Sequence, residues 1–284
     1  MNGMTHAPFG ALRACTSPPL SPSVFCNILC MYKDGRGVAR DRQKALSLLK
    51  LECVQKDADA SFMHACMLLD DAADAAKTAE ATRLLKVAAK QDHTDAQYTL
   101  ACQLQGSFVK QSIKWLERAS KSNHINATFK LACMLADGEG VSRDDTEAAR
   151  LLMAAVAKGH AEAHCRLALM LEQGRGVAQS SELAAMMYGQ AADRGSAGAM
   201  CSLARMHGDG RGVRQNSEEA FKLCRAAAVE GYAQAQHDVA CMYRDGTGTA
   251  AVRSEAVRWF KAAAAQGHQG AAVAAGVLEV ADGL

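Results

Sequence analysis

Proline is nearly absent from this chain. Its four prolines, Pro8, Pro18, Pro19 and Pro22, all lie in the first 22 residues, and residues 23–284 contain none. Proline breaks the interior of a helix, whereas Ala, Leu, Met, Lys, Arg and Glu, which are abundant here, favour one. We therefore expect an all-α protein whose helices are not interrupted.

The chain also lacks a block of one charge, a long apolar run and a high aromatic content. Its formal net charge is +2 and only 5% of its residues are aromatic, so we expect no nucleic-acid partner. No apolar run approaches the ~18 residues that cross a membrane, so we expect no membrane span. With 49% hydrophobic residues in 284, the chain can bury the core of one large or two ordinary domains.

The first residues differ in composition from the rest. The stretch TSPPLSPS occupies residues 16–23, and Arg13 is the only charged side chain before Lys33. We expect residues 1–22 to form a disordered tail and residues 23–284 to form the folded part. A mitochondrial presequence is the alternative interpretation of the tail, so the predicted location is cytoplasmic, with mitochondrial as the alternative.

A glycine-rich pentapeptide recurs along the chain. DGRGV occupies residues 34–38 and 209–213, and its relatives DGEGV, QGRGV and DGTGT start at residues 137, 173 and 245. From 137 onward the copies are 36 residues apart, a period typical of a solenoid. No strand precedes the loop and no P-loop lysine follows it, so these glycines are predicted to form turns rather than a phosphate site. The predicted turn glycines are Gly35, Gly37, Gly138, Gly140, Gly174, Gly176, Gly210, Gly212, Gly246 and Gly248.

Two amphipathic helices fit each period. Before the pentapeptide, small or apolar residues recur with helical spacing, as in Ala163, Leu167 and Met170, and this predicts helix A. The first glycine then ends helix A in a left-handed conformation. After the pentapeptide, a polar N-cap candidate starts helix B; these candidates are Asp144, Asn216 and Ser254, the first two with capping-box partners Glu147 and Glu219. Another glycine ends helix B, at Gly159, Gly195, Gly231 and Gly267.

These features together resemble the Sel1-like repeat, a relative of the tetratricopeptide repeat. The matching elements are A-x-x-x-L-A-x-M in helix A, G-x-G-V in the loop and A-x-x-L/W-x-x-A-A in helix B, over residues 23–284 and most regularly over 122–284. Residues 55–121 depart from the pattern because loop glycines are missing and the repeat is shorter. The resemblance implies a right-handed α-solenoid of antiparallel helix pairs, about seven repeats plus a final helix, that acts as an adaptor for a protein or peptide partner.

Catalytic and metal chemistry finds little support in the sequence. His160 and His164 are one helical turn apart, but His93, His124 and His268 share the repeat position of His160, which indicates a role at the helix start. No nucleophile motif is present, so we expect no enzyme activity, no metal and no cofactor. The alternative that the resemblance implies is a secreted, cysteine-rich enzyme of the β-lactam-binding kind. Against it, eight of the eleven cysteines occupy positions on the A helices that are ill suited to disulfides, so we expect all eleven thiols to be free.

A partner-binding groove is predicted along the A helices. Two interpretations are open for the residues at its centre: they pack against the neighbouring helix A, or they line a concave surface with aromatic anchors and charged selectors. The candidate groove residues are Phe62, Tyr98, Phe129, Lys130, Arg166, Arg205 and Asp238.

Overall fold

The computed structural model describes residues 41–54, 57–70 and 74–280, together with the single positions 32, 35, 37 and 39. The predicted tail, residues 1–22, lies outside these ranges. Within them the chain forms fourteen α-helices and no strand, as predicted. The helices are α1 (Arg42–Val54), α2 (Ala58–Leu69), α3 (Ala75–Lys90), α4 (Thr94–Leu104), α5 (Val109–Lys121), α6 (Ile125–Asp137), α7 (Asp145–Ala157), α8 (Ala161–Gln173), α9 (Ser181–Ala192), α10 (Ala197–Asp209), α11 (Ser217–Val229), α12 (Ala233–Asp245), α13 (Arg253–Ala265) and α14 (Gln269–Val280).

Consecutive helices pair from α1 to α3 and again from α5 to α14. The even-numbered helices are the A helices of the repeat and the odd-numbered ones are the B helices. Contacts divide the chain into two compact units, Met1–Leu100 and Ala101–Leu284. In the described ranges, no helix combines the length and the apolar character needed to cross a membrane.

Each unit has its own buried core. In the first unit, Ala45 and Leu49 of α1 are buried with Ala60 and Met67 of α2. In the second unit, the core between the last helices is built mostly of alanine around the fully buried Phe260. Because alanine side chains are small, the backbones of neighbouring helices pack closely in each repeat.

The helix starts confirm part of the capping prediction. The side chains of Asp144 and Asn216 accept hydrogen bonds from the amides of Glu147 (2.9 Å) and Glu219 (3.1 Å). The predicted capping boxes are wrong, because Glu147 pairs with Arg150 instead, and the Asp144 amide donates to a carbonyl of α6. The third candidate is also wrong: Ser254 lies inside α13, whose N-cap is Val252 without a side-chain hydrogen bond.

The helix ends follow the glycine pattern. Gly138, Gly174, Gly210 and Gly246 cap α6, α8, α10 and α12 in the left-handed conformation, as predicted. At the ends of α3 and α5, where the pattern has no glycine, Asp92 and Asn123 adopt positive φ angles of 64° and 67°. The same backbone turn is therefore made with and without glycine, since Asp and Asn tolerate this region better than most residues.

Candidate functional site

The predicted groove residues lie on successive A helices. Phe62 on α2 and Tyr98 on α4 belong to the first unit, where both are half-buried. The other five belong to the second unit, and we call them the A-helix face: Phe129 and Lys130 on α6, Arg166 on α8, Arg205 on α10 and Asp238 on α12. All five are half-buried except Arg205, which is exposed.

Phe129 packs against the start of the next A helix. Its ring stacks on the imidazole of His160, with centroids 4.3 Å apart and an interplanar angle of 24°. His237 of α12 stacks in the same way on His268, at 4.5 Å and 21°. Within the first unit, Phe62 meets His93 with ring centroids 4.5 Å apart. This position of helix A thus contacts the residue that caps the start of the following helix A.

The Arg166 guanidinium reaches back to the preceding repeat. Its Nη2 lies 2.9 Å from Oδ2 of Asp137, the last residue of α6, and both side chains are partly exposed. The thiol of Cys133, one helical turn before Asp137, lies in the same region; burial raises its pKa, although the nearby Arg166 charge opposes this. An exposed ion pair of this kind contributes little to stability, so it orients Arg166 more than it holds the repeats together.

Arg205 pairs with Glu172, an acid that is more buried than Asp137. Its guanidinium is 3.3 Å from Oε1 of Glu172, whose side chain is only 11% exposed and is also bound by Arg211 at 2.9 Å. The hydroxyl of Tyr188 donates to the same carboxylate at 3.4 Å. Burial, together with the Glu172 charge, raises the pKa of Tyr188 to about 12. Glu172 is thereby shared among α8, α9, α10 and the loop after α10.

Asp238 is held by its own helix. Its Oδ1 accepts from Nε2 of Gln234 at 2.9 Å and lies 3.2 Å from Nδ1 of His237. Lys130 sits on α6 beside Phe129, half-buried. The A-helix face is therefore a row of separate polar contacts, in which the two arginines are each tied to an acid of the preceding repeat.

Sequence reasoning missed these acids and the role of the loop arginines. Asp137 is the first residue of a pentapeptide, and the sequence pattern predicts only its place in the turn. Glu172 belongs to no motif identified in the sequence. The arginine at the third position of the pentapeptide is a signal that sequence reasoning overlooked. In the structure, Arg175 donates to the carbonyl of Ala136 at 2.6 Å and to Asp145 at 2.7 Å. Hydrogen bonds from two arginines hold the pKa of the Asp145 carboxyl well below its usual range; the larger effect comes from Arg143 and the smaller from Arg175.

The histidine positions match the helix-start prediction. His93, His124, His160 and His268 each use Nδ1 to accept the backbone amide three residues later, at 3.1 to 3.3 Å. His164 is buried, with Nδ1 2.9 Å from the carbonyl of His160. Among the residues that the structure describes, no three His, Cys, Asp or Glu side chains converge as metal ligands would.

The described cysteines lie in the helices with free thiols. Burial raises the pKa of Cys201 to about 11 and that of Cys224 to about 12, so both thiols are poor nucleophiles at neutral pH. The free cysteines are Cys66, Cys102, Cys133, Cys165, Cys201, Cys224 and Cys241. The remaining predicted thiols, Cys15, Cys26, Cys30 and the Cys53 side chain, lie outside the described part of the chain.

The sequence profile of the Sel1 repeat matches six segments of this chain. They are residues 26–51, 94–124, 125–160, 161–196, 197–232 and 233–268. The chain belongs to the Sel1 repeat family. The gap in the match, residues 52–93, contains the pair α2–α3, so a helix pair forms where the Sel1 sequence signature is missing.

Solved Sel1 repeat structures share the fold. The chain is 24% identical to c5321, a protective antigen of uropathogenic Escherichia coli with an SLR fold, with a TM-score of 0.77 over 82% of this chain. It spans about half, 51%, of that protein's length. It is also 24% identical to a Sel1 repeat protein from Oxalobacter formigenes, with a TM-score of 0.73 over 88% of this chain and 74% of the other. No curated protein matches the sequence. The Sel1 chain is thus an all-α repeat solenoid.

Proposed function

We propose that this chain is a non-catalytic scaffold that binds a protein or peptide partner through its A-helix face. Sel1 repeat proteins generally mediate protein–protein interactions and are generally non-catalytic. The observation that carries the proposal is the row of cationic side chains on three successive A helices: Lys130, Arg166 and Arg205. Arginine is enriched at binding hot spots, where it pairs with carboxylates of the partner.

The geometry favours an extended, acidic peptide segment. Neighbouring A helices pack roughly 8–10 Å apart, and an extended chain rises about 3.3 Å per residue. Carboxylates about three residues apart would therefore reach Lys130 and Arg166 together. The Arg166–Asp137 pair is partly exposed, so exchanging Asp137 for a partner carboxylate costs little.

We further propose a reducing compartment, the cytoplasm, with the mitochondrion as the alternative. The seven free thiols of the described residues support this location, because disulfides persist mainly in oxidising compartments. Mass measurement after alkylation of the native and the unfolded protein tests it: eleven thiols should be labelled on unfolding without reductant. Recovery of two or more disulfides from the native host would contradict the proposal.

The binding proposal is tested with two matched double variants. Arg166→Glu with Arg205→Glu reverses two charges of the A-helix face, and Arg150→Glu with Lys222→Glu reverses two charges on B helices. Each of these four cations is paired with an acid in the native protein, so the variants lose two ion pairs each and change the net charge equally. We expect the A-helix variant alone to lose at least tenfold of its partner binding. The melting temperatures of both variants are measured in parallel, because Arg205→Glu sets a like charge beside the largely buried Glu172, and binding is compared at a temperature at which both variants are folded.

The measurement is quantitative mass spectrometry of proteins captured by the three tagged proteins, followed by titration of the captured partner. Capture lost in the A-helix variant and kept in the B-helix variant supports the proposal. Equal capture by both variants would show that the partner docks elsewhere on the protein.

A further inference from the structure

Histidine begins two A helices of the second unit at a contact between repeats. His160 caps α8 by accepting the amide of Ala163 on Nδ1 at 3.3 Å, and His268 accepts the amide of Ala271 at 3.1 Å. Each ring also stacks on a side chain of the preceding A helix, Phe129 or His237. One imidazole therefore serves both as a helix cap and as a contact between repeats.

This double role requires the neutral ring. An Nδ1 that accepts an amide hydrogen carries no proton, so the proton of the neutral ring lies on Nε2. Protonation places a hydrogen on Nδ1, directed at another N–H donor, and breaks the cap. It also puts a positive charge at a helix N-terminus, where the helix dipole opposes it.

The groups around His160 do not remove this penalty. Burial lowers the pKa of His160; the charge of Glu162 on the same helix raises it and that of His164 lowers it. The preceding helix α6 contributes the uncharged ring of Phe129. Because the folded protein holds this proton less tightly than the unfolded chain, stability falls as the pH drops below about 6.5, the ordinary pKa of histidine.

His268 makes the corresponding contacts at the start of α14. Its Nε2 lies 3.3 Å from Oε1 of Gln234, and its ring stacks on that of His237, whose Nδ1 lies 3.2 Å from Oδ1 of Asp238. An acid therefore lies within this cluster, whereas the ring stacked on His160 is the uncharged ring of Phe129.

Other A helices of this chain show which features matter. Ser196 caps α10 through its hydroxyl, which does not titrate in this range. His93 caps α4 and meets the ring of Phe62, but Oδ1 of Asp59 also lies 3.3 Å from its Nε2. His160 combines a cap made by an ionisable ring with a stacking contact to an uncharged ring of the preceding A helix.

We infer that His160 forms an acid-sensitive clasp that holds the neighbouring A helices α6 and α8 together at neutral pH and releases them at mildly acidic pH. Loosening at this position would alter the spacing of the two helices. The inference does not depend on the binding role proposed above, because it concerns the stability of the protein alone.

The experiment compares the native protein with the variant His160→Asn. An asparagine oxygen can take the place of the imidazole Nδ1, and Asn216 already caps α11 in this chain. The control, His207→Gln, removes a histidine that lies inside α10 and does not cap a helix. Urea unfolding is followed at pH 7.5 and pH 5.5 for all three proteins.

We expect the urea midpoint of the native protein and of the control to fall by about 0.5 M between the two pH values, and that of the Asn variant to fall by less than half as much. In the native protein, the amide resonance of Ala163 should also titrate over this range. Equal midpoint shifts in all three proteins, or an Ala163 resonance that stays fixed, would overturn the inference.

Discussion

The helices α4 and α5 are connected differently from the helices α6 and α7. α4 ends at Leu104 and α5 begins at Val109, through a short turn in which the Phe108 amide donates to the Leu104 carbonyl at 2.8 Å. α6 and α7 are joined by residues 138–144, which include the two pentapeptide glycines with φ of 72° and 73°. α2 and α3 pair although residues 70–74 between them contain no glycine, so neighbouring helices can pair without the pentapeptide, and its purpose must lie elsewhere.

The second glycine of the pentapeptide shows that purpose. A Cβ added to Gly176 would overlap the carbonyl of Asp145, the first residue of the preceding helix B. The same overlap would occur at each second glycine in this unit: Gly140 with the Val109 side chain, Gly212 with the Ser181 carbonyl and Gly248 with the Ser217 carbonyl. These contacted residues are the first residues of α5, α9 and α11. The loop is thus a contact between repeats, for which only glycine is small enough.

The largest predicted effect is at this second glycine. Gly176→Ala should lower the free energy of unfolding by about 3 kcal/mol, because it combines a strained positive φ with a backbone overlap. Urea unfolding measures the loss. In the short turn, Gly106→Ala is the control: its added Cβ would meet no atom within 4 Å, so a change below about 0.5 kcal/mol is expected.

The first glycine gives an intermediate case. At Gly174 the φ is also positive, at 68°, but an added Cβ would approach only the Cβ of Gln179, at 3.1 Å. Gly174→Ala should therefore cost less, about 1–2 kcal/mol. If Gly174→Ala costs as much as Gly176→Ala, the contact between repeats is not the reason for the second glycine.

The next largest effect on stability is expected at Val252, the N-cap residue of α13. Val252 precedes α13 with φ −135° and ψ 98°, nearly the backbone angles of Asp144, the N-cap of α7, but its side chain makes no cap hydrogen bond. Val252→Asp should raise the free energy of unfolding by about 1 kcal/mol by satisfying a free amide of the first turn.

Ser254→Ala distinguishes the N-cap that the structure shows, Val252, from the N-cap that the sequence predicts, Ser254. Ser254 lies inside the helix, so its replacement by alanine should change stability by less than about 0.5 kcal/mol. A loss near 1 kcal/mol for Ser254→Ala, with no gain for Val252→Asp, would restore the original assignment. Both values come from the same urea titrations.

The comparison of loops also explains how much could be predicted from the sequence. The caps at Asp144 and Gly174 and the histidine helix starts follow from local rules, in which a residue acts on amides or carbonyls within one turn. The Arg166–Asp137 and Arg205–Glu172 pairs join residues about 30 positions apart, a separation that no local rule covers. Ser254 was misplaced because a capping residue and a residue in the first turn have similar sequence preferences.

The smallest predicted effect concerns the outer side of the B helices. α7, α11 and α13 each carry an acid and a base three residues apart, as in Glu147 and Arg150. In α9 the equivalent positions are Leu183 and Met186, which are 47% and 49% exposed. Replacing them by Leu183→Glu and Met186→Arg restores the pair and places an acid in the first turn, three residues after the cap Ser180.

This double variant should gain about 0.5 kcal/mol at low ionic strength, because the ion pair and the helix dipole each contribute a few tenths. The long stems of Glu and Arg can cover the apolar surface that Leu183 and Met186 cover now. Urea unfolding at low and high salt is the measurement, and the gain should shrink at high salt because the added terms are electrostatic. A loss above about 1 kcal/mol at both salt concentrations would instead show that Leu183 and Met186 contribute apolar packing, and that the departure from the Glu–Arg pattern in α9 serves stability.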